Sequence, residues 1–128
     1  MSETKIAMWS GPRNISTALM YSFDNRPDTF CVDEPLYAHY LAHTGIPHPN
    51  AQKVIDNGVT DWEKVVKTLC GEIPDNAEIW YQKHMTHHIL PHMELDWVLN
   101  LKNCLLIRNP REVILSLSKK TDQINVRA

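Results

Sequence analysis

The chain has 128 residues and a mass of 14.8 kDa, with 43% apolar and 22% charged residues, which is the makeup of a globular domain and excludes a disordered chain. A chain of that length buries about two-thirds of its unfolded surface, so a single domain with one core is expected over residues 1–128. The formal net charge of −2 and the pI near 6.4 argue against general binding to nucleic acid or to an anionic membrane, while leaving room for a local basic pocket.

Lys5-Ile6-Ala7-Met8-Trp9 is a short, nearly continuous apolar run, as in a buried parallel strand. Ser10-Gly11-Pro12-Arg13-Asn14 is a turn cluster. Ile15, Leu19, Met20 and Phe23 then share one helical face, and Asn25-Arg26-Pro27-Asp28 breaks that helix. Thr29-Phe30-Cys31-Val32 reads as the second strand. Asp33-Glu34-Pro35 is expected to cap a helix carrying Leu36, Tyr40 and Leu41, with Gly45 at its end. The polar stretch 46–60, with Pro47, Pro49 and Gly58, predicts an excursion with some helix, or a flap.

Asp61 is the expected N-cap of a helix whose apolar face is Trp62, Val65, Val66 and Leu69. Residues 79–83 predict a third strand, followed by a His-rich loop to Pro91 and a short helix over 93–101. Asn103-Cys104-Leu105-Leu106-Ile107 has the most strongly apolar strand pattern and is expected to be buried. Pro110 suits the start of a helix with Val113, Ile114 and Leu117 facing inward. Strands followed by helices predict a parallel sheet of about four strands with right-handed crossovers, in a three-layer α/β domain. Trp9, Trp62, Trp80 and Trp97 are expected in the core.

Cys31, Cys70 and Cys104 are odd in number and form no CxxC pair, which argues against a disulfide scaffold and suits a reducing compartment. The opening MSETKIAMWSG lacks an apolar signal region, and no run approaches the length of a membrane span. A cytoplasmic location is the expectation.

Two strand–loop–helix junctions could carry chemistry. In open α/β sheets ligands bind beyond the carboxyl ends of the strands, where a helix N-terminus offers free amides to an anion. The first junction adds the guanidinium of Arg13 and the hydroxyls of Ser16 and Thr17. It does not match GxxxxGK[ST], for it has neither the second Gly nor the Lys. In the second, Arg108 ends a strand and Ser116 lies two helical turns into the next helix, eight residues on, so both could reach one anion.

Together these segments resemble the sulfotransferase family, which moves sulfonate from 3′-phosphoadenosine 5′-phosphosulfate to an acceptor. Pro12-Arg13-Asn14-Ile15-Ser16-Thr17 is similar to the family's P-K-S-G-T-T motif. Arg108, Pro110 and Ser116 match its R-x-P-x-x-x-x-x-S motif, and Phe30 to Leu36 resembles the F-E-P-L segment of its carbohydrate-sulfating branch. The loop also resembles that of sulfotransferase-like proteins carrying S-G-P-R-N-I-S-T. The resemblance implies a P-loop nucleoside-triphosphatase-like fold. It implies that Pro12, Arg13, Asn14, Ser16 and Thr17 hold the 5′-phosphosulfate, and that Arg108 and Ser116 hold the 3′-phosphate. Arg13 stands in place of the usual Lys, which keeps the charge and changes its geometry. It further implies a complete protein about twice this long, with this chain as the N-terminal half. An apolar edge left for the other half would favour self-association.

Many family members carry K-T-H after the third strand. Here the candidates for catalysis are Lys83, His84, His87 and His88, with His88 and His84 ranked first as the base and Glu34 as an acceptor-side carboxylate, beside Arg13. His84, His88 and His92 recur at i,i+4, but Pro91 interrupts any helix there and no HExxH is present, so no metal is expected. The expected function is sulfonate transfer to a hydroxyl or amine of a small-molecule or glycan-like acceptor. Its alternatives are a noncatalytic or truncated nucleotide-binding module and a P-loop kinase-like protein.

Overall fold

Successive side chains of a strand point to opposite faces of the sheet, and both faces of the central strands are packed. The computed structural model describes residues 3–11, 15–107, 109–112 and 114–115. Its strands are β1 (Thr4–Ser10), β2 (Thr29–Asp33), β3 (Ile79–Met85) and β4 (Lys102–Leu106). They form one parallel sheet in the order β2-β3-β1-β4. The helices are α1 (Ser16–Asp24), α2 (Tyr37–Thr44), α3 (Ala51–Asn57) and α4 (Trp62–Leu69). Short 3₁₀ turns cover Pro74–Asn76, Thr86–His88 and Asp96–Asn100.

One face of the sheet packs Met8 and Tyr81 against Met20 of α1, with Phe23 stacked on Tyr81 at 4.4 Å between centroids. The other buries Ala7 and Trp80 against Val65 and Leu69 of α4 and Trp97 of the last 3₁₀ turn. This is the expected α/β architecture, a parallel sheet flanked by helices. Asp61 caps α4 as expected, its carboxylate accepting from the amides of Glu63 and Lys64. Gly45 ends α2 at φ 67°, a left-handed position that glycine occupies without strain.

Several expectations change. Ile15 does not join the buried face of α1; it is exposed, whereas Met20 is buried. Asp33-Glu34-Pro35 does not cap α2, which starts at Tyr37 with no side-chain cap. The third strand includes Lys83 as expected but runs on to Met85, so His84 lies in the ladder rather than at the start of a loop. The β3-to-β4 crossover holds 3₁₀ turns in place of the helix expected over 93–101. β4 is not buried: Lys102 to Leu105 are all exposed, and Ile107 is 84% exposed. Among the described residues it pairs with β1 alone, at the edge of the sheet, and apolar composition by itself does not place a strand inside. Residues 110–112 and 114–115 are helical, as Pro110 implied, and Ile114 is half-buried. Val113 and Leu117 lie outside the described residues.

Candidate functional site at the carboxyl ends of the strands

The parallel register brings the ends of β1, β2 and β3 to one edge, where α1 begins. Within α1, Ser16 is buried and Thr17 is exposed. The cap residue Ile15 supplies no side-chain acceptor to the first-turn amides, and no acidic residue lies in that turn. Such a helix start is suited to an anion.

Lys83 is the centre of the site. Its side chain is only 6% exposed, and its register partner on β2 is Asp33. The Nζ donates to Thr17 Oγ1 at 3.1 Å and to Glu34 Oε2 at 3.3 Å, and it lies 3.1 Å from Asp33 Oδ1. One ammonium therefore sits against Asp33 and Glu34 at the head of α1. Glu34 has φ 47°, a left-handed conformation unusual for a side chain of its size. That backbone is fixed from both sides: its N–H donates to the Lys83 carbonyl at 2.9 Å, and its own carbonyl accepts from Tyr37 at 3.1 Å.

His88 stands behind Glu34, with Nε2 3.8 Å from Glu34 Oε1, longer than a hydrogen bond. It is 2% exposed, and neither ring nitrogen has a hydrogen-bond partner among the described residues. Tyr37 stacks on it at 5.1 Å and Tyr40 approaches at 4.9 Å. Burial pushes its pKa down to about 3, helped by the nearby His87, His84 and Lys83. His88 is thus neutral at pH 7, and its approach to Glu34 is not an ion pair.

The strand's period of two separates His84 from this group. His84 shares its face with Gln82, whose Oε1 lies 3.1 Å from Nε2, and it stacks on Trp9 at 4.5 Å. Burial lowers its pKa to about 4. Of the candidates named from sequence, the structure gathers Thr17, Lys83, Glu34 and His88, keeps Ser16 in the same helical turn as Thr17, and sets His84 on the opposite face. Pro12, Arg13, Asn14, Arg108 and Ser116 lie outside the described residues. The sequence pattern places Asp33 in a cap and does not mark it as a site residue. The signal that points to it is strand alternation, which puts it beside Lys83 once β2 and β3 are paired.

A cavity of about 490 Å³ lies between β2, β3 and α4, lined by Phe30, Val32, Leu69 and Trp80 among others. It is apolar and on the face away from Lys83, so it is separate from the cluster around Lys83.

Residues 4–127 match the family model of the sulfotransferase domain. The chain belongs to the sulfotransferase domain family. Two curated relatives from Arabidopsis thaliana are also similar to this sulfotransferase-family chain. Branched-chain-amino-acid aminotransferase-like protein 2 is 37% identical over 114 residues, covering 89% of this chain and 20% of the relative. Branched-chain-amino-acid aminotransferase-like protein 1 is 39% identical over 115 residues, with the same shares. The chain therefore spans about a fifth of the length of these relatives. No solved structure matches it. Among the described residues, no helix of this family member is long and apolar enough to cross a membrane.

Proposed function

We propose that the chain carries the donor end of a sulfonate-transfer site, using 3′-phosphoadenosine 5′-phosphosulfate as donor and a hydroxyl or amine as acceptor. The carrying observation is the ammonium of Lys83 held 3.1 Å from Thr17 at the head of α1, with Glu34 on its other side. Family membership supports sulfonyl transfer in general. In this reading the acceptor oxygen or nitrogen forms a bond to sulfur as the bond from sulfur to the bridging phosphate oxygen breaks. The electron pair of that bond leaves with adenosine 3′,5′-bisphosphate, and the acceptor's proton passes to the Glu34 carboxylate. Lys83, Thr17 and the amides of α1 stabilise charge growing on the leaving phosphate. A sulfonate carries less charge than a phosphoryl group, so no metal is required in this step.

Glu34 fits the role of base better than either histidine. It is partly exposed, at 28%, whereas His88 is almost fully enclosed and His84 faces the other way. His88 is then a positioning residue behind the carboxylate. Arg13, Asn14, Arg108 and Ser116 enter the reading through their motifs alone: Arg13 for the phosphosulfate, Arg108 and Ser116 for the 3′-phosphate.

The test combines binding and turnover. Adenosine 3′,5′-bisphosphate is expected to raise the melting temperature more than adenosine 5′-monophosphate or ATP with magnesium. Labelled sulfonate is expected to reach a hydroxyl or amine acceptor, and Lys83→Met is expected to lower that rate by about 100-fold or more, the scale of losing one charge-stabilising donor. Stabilisation by ATP alone would favour a kinase-like protein. A folded chain that responds to no nucleotide would favour a noncatalytic module.

A further inference from the structure

The sulfonate site leaves a second cluster unused. α2 carries His39 and His43 one turn apart, so both side chains project from one side of the helix. The turn after Pro91 brings His92 against them. The His43 and His92 rings are 4.1 Å apart between centroids, His39 and His92 5.0 Å, and His39 and His43 5.6 Å. One ring nitrogen from each of the three lies within 4.8 Å of the others. Three imidazoles from two distant segments converge on one point.

The tautomer at His39 is fixed by its surroundings. Its Nδ1 lies 2.8 Å from the Thr60 carbonyl oxygen, which can only accept, so Nδ1 carries the hydrogen. Nε2 therefore presents its lone pair, and it points at Nε2 of His92, 2.9 Å away. A backbone carbonyl holding the far nitrogen of an imidazole is the usual outer support of a metal-binding histidine, since it sets both the ring's orientation and its free lone pair. A hydrogen bond from His92 to His39 would account for that pair alone. It gives no part to His43, whose ring also closes on His92.

We propose that His39, His43 and His92 bind a zinc ion, with a water molecule in the fourth position. Imidazole nitrogens suit zinc, and three of them with one open position form a known tetrahedral arrangement. At metal–nitrogen distances of about 2.0–2.1 Å, the nitrogens of a tetrahedral site stand roughly 3.4 Å apart. His39 and His92 must separate by about half an ångström to admit the ion, a shift open to His92 because it is exposed. His43 is exposed as well, so the ion can enter from solvent, while buried His39 supplies the fixed ligand. The ion would tie α2 to the loop before the last 3₁₀ turn and, through His39, to the segment preceding α4. It plays no part in sulfonate transfer, and the proposal stands apart from that reading.

The test uses the untagged full chain in competition with a chromophoric zinc chelator. His43→Ala and His92→Ala are the informative variants, because both side chains are exposed and neither is needed for the core. His48→Ala removes a histidine outside the trio, and circular dichroism checks the fold of each. Wild type is expected to take one zinc ion, and each trio variant to lose about tenfold or more in affinity, with His48→Ala unchanged. Cobalt(II) bound to the wild type is expected to give the strong visible absorption of a four-coordinate centre, lost in His92→Ala. The proposal is overturned by wild type that does not compete for zinc. It is equally overturned by folded trio variants that bind as well as wild type, or by an equal loss in His48→Ala.

Discussion

At the scale of single residues, Glu34 carries a conflict between backbone and side chain. A glutamate at φ 47° is disfavoured by about 1–2 kcal/mol relative to a right-handed conformation. Pro35 contributes by pushing the preceding residue out of the right-handed helical region. Two backbone hydrogen bonds, to the Lys83 carbonyl and from the Tyr37 N–H, hold this conformation, and it sets the carboxylate against Lys83. Strain of this kind that survives at the mouth of a sheet points to use. Replacing Glu34 by glycine relieves the backbone and removes the carboxylate together. Glu34→Gly is therefore expected to unfold at a urea concentration equal to or above that of wild type, while its transfer rate falls by about 10²–10⁴-fold. Glu34→Gln keeps the length and a hydrogen-bond acceptor for Lys83, and is expected to lose the rate to a similar extent with stability unchanged. A glycine variant that lost stability and kept its rate would make Glu34 a structural partner of Lys83 only.

At the scale of elements, the pairing of α2 with α3 turns on Gly58. Its φ is not in the left-handed region, so the requirement for glycine is one of space. A Cβ there would sit 2.6 Å from Ala38 Cβ and 2.9 Å from the Val54 carbonyl oxygen. Both contacts are well inside van der Waals distance, and neither partner is the end of a flexible side chain. Gly58→Ala is expected to destabilise by about 1–3 kcal/mol in denaturant titration, the usual range for overpacking. Adding Ala38→Gly removes the closer contact and is expected to recover part of the loss, so the two changes are non-additive. Strict additivity would mean that α3 moves away as a unit.

The elements also mark what could be read from sequence. The four strands, the helices α1, α2 and α4 and the cap at Asp61 are legible because each has a local cause, a periodicity, a carboxylate or a glycine, whereas 93–101, expected as a helix, folds with 3₁₀ turns. The end of β3 is not legible, because His84 and Met85 join the strand through pairing with Trp9 and Ser10, far away in the chain. The exposure of β4 was illegible for the same kind of reason: being at the edge is a property of strand order, which composition does not encode. Lys83, Glu34, His88 and Thr17 were each visible as candidates. Their meeting point, and the exclusion of His84 from it, depended on which strands were neighbours. His39 and His43 carried a local signal in their i,i+4 spacing on α2, whereas the third member, His92, reaches them only through the tertiary fold.

At the scale of the whole molecule, the sheet divides two sealed polar environments. His84 is 1% exposed on one face and His88 is 2% exposed beyond the strand end, each with a pKa far below the 6.5 of a solvated imidazole. Burial is the first cause in both, because a charged ring cannot be solvated there. The unfolded chain takes up protons at these residues as pH falls through about 6.5, whereas the folded chain does so only near pH 4 and 3. Between those limits the unfolded state binds more protons, so the free energy of unfolding rises with pH and levels off above about 6.5. Acidification from pH 7.5 to 5 should therefore destabilise the protein, by an amount on the order of 2 kcal/mol for each buried ring. Urea titrations at pH 7.5, 6 and 5 measure it. Replacing His84 by Phe keeps a ring against Trp9 and removes one proton acceptor, so it should flatten the pH dependence. It also leaves Gln82 Oε1 without its partner, so its stability at pH 7.5 serves as the baseline and only the slope is compared. A slope in His84→Phe equal to that of wild type would mean that His84 opens to solvent, and takes up its proton, before the molecule unfolds.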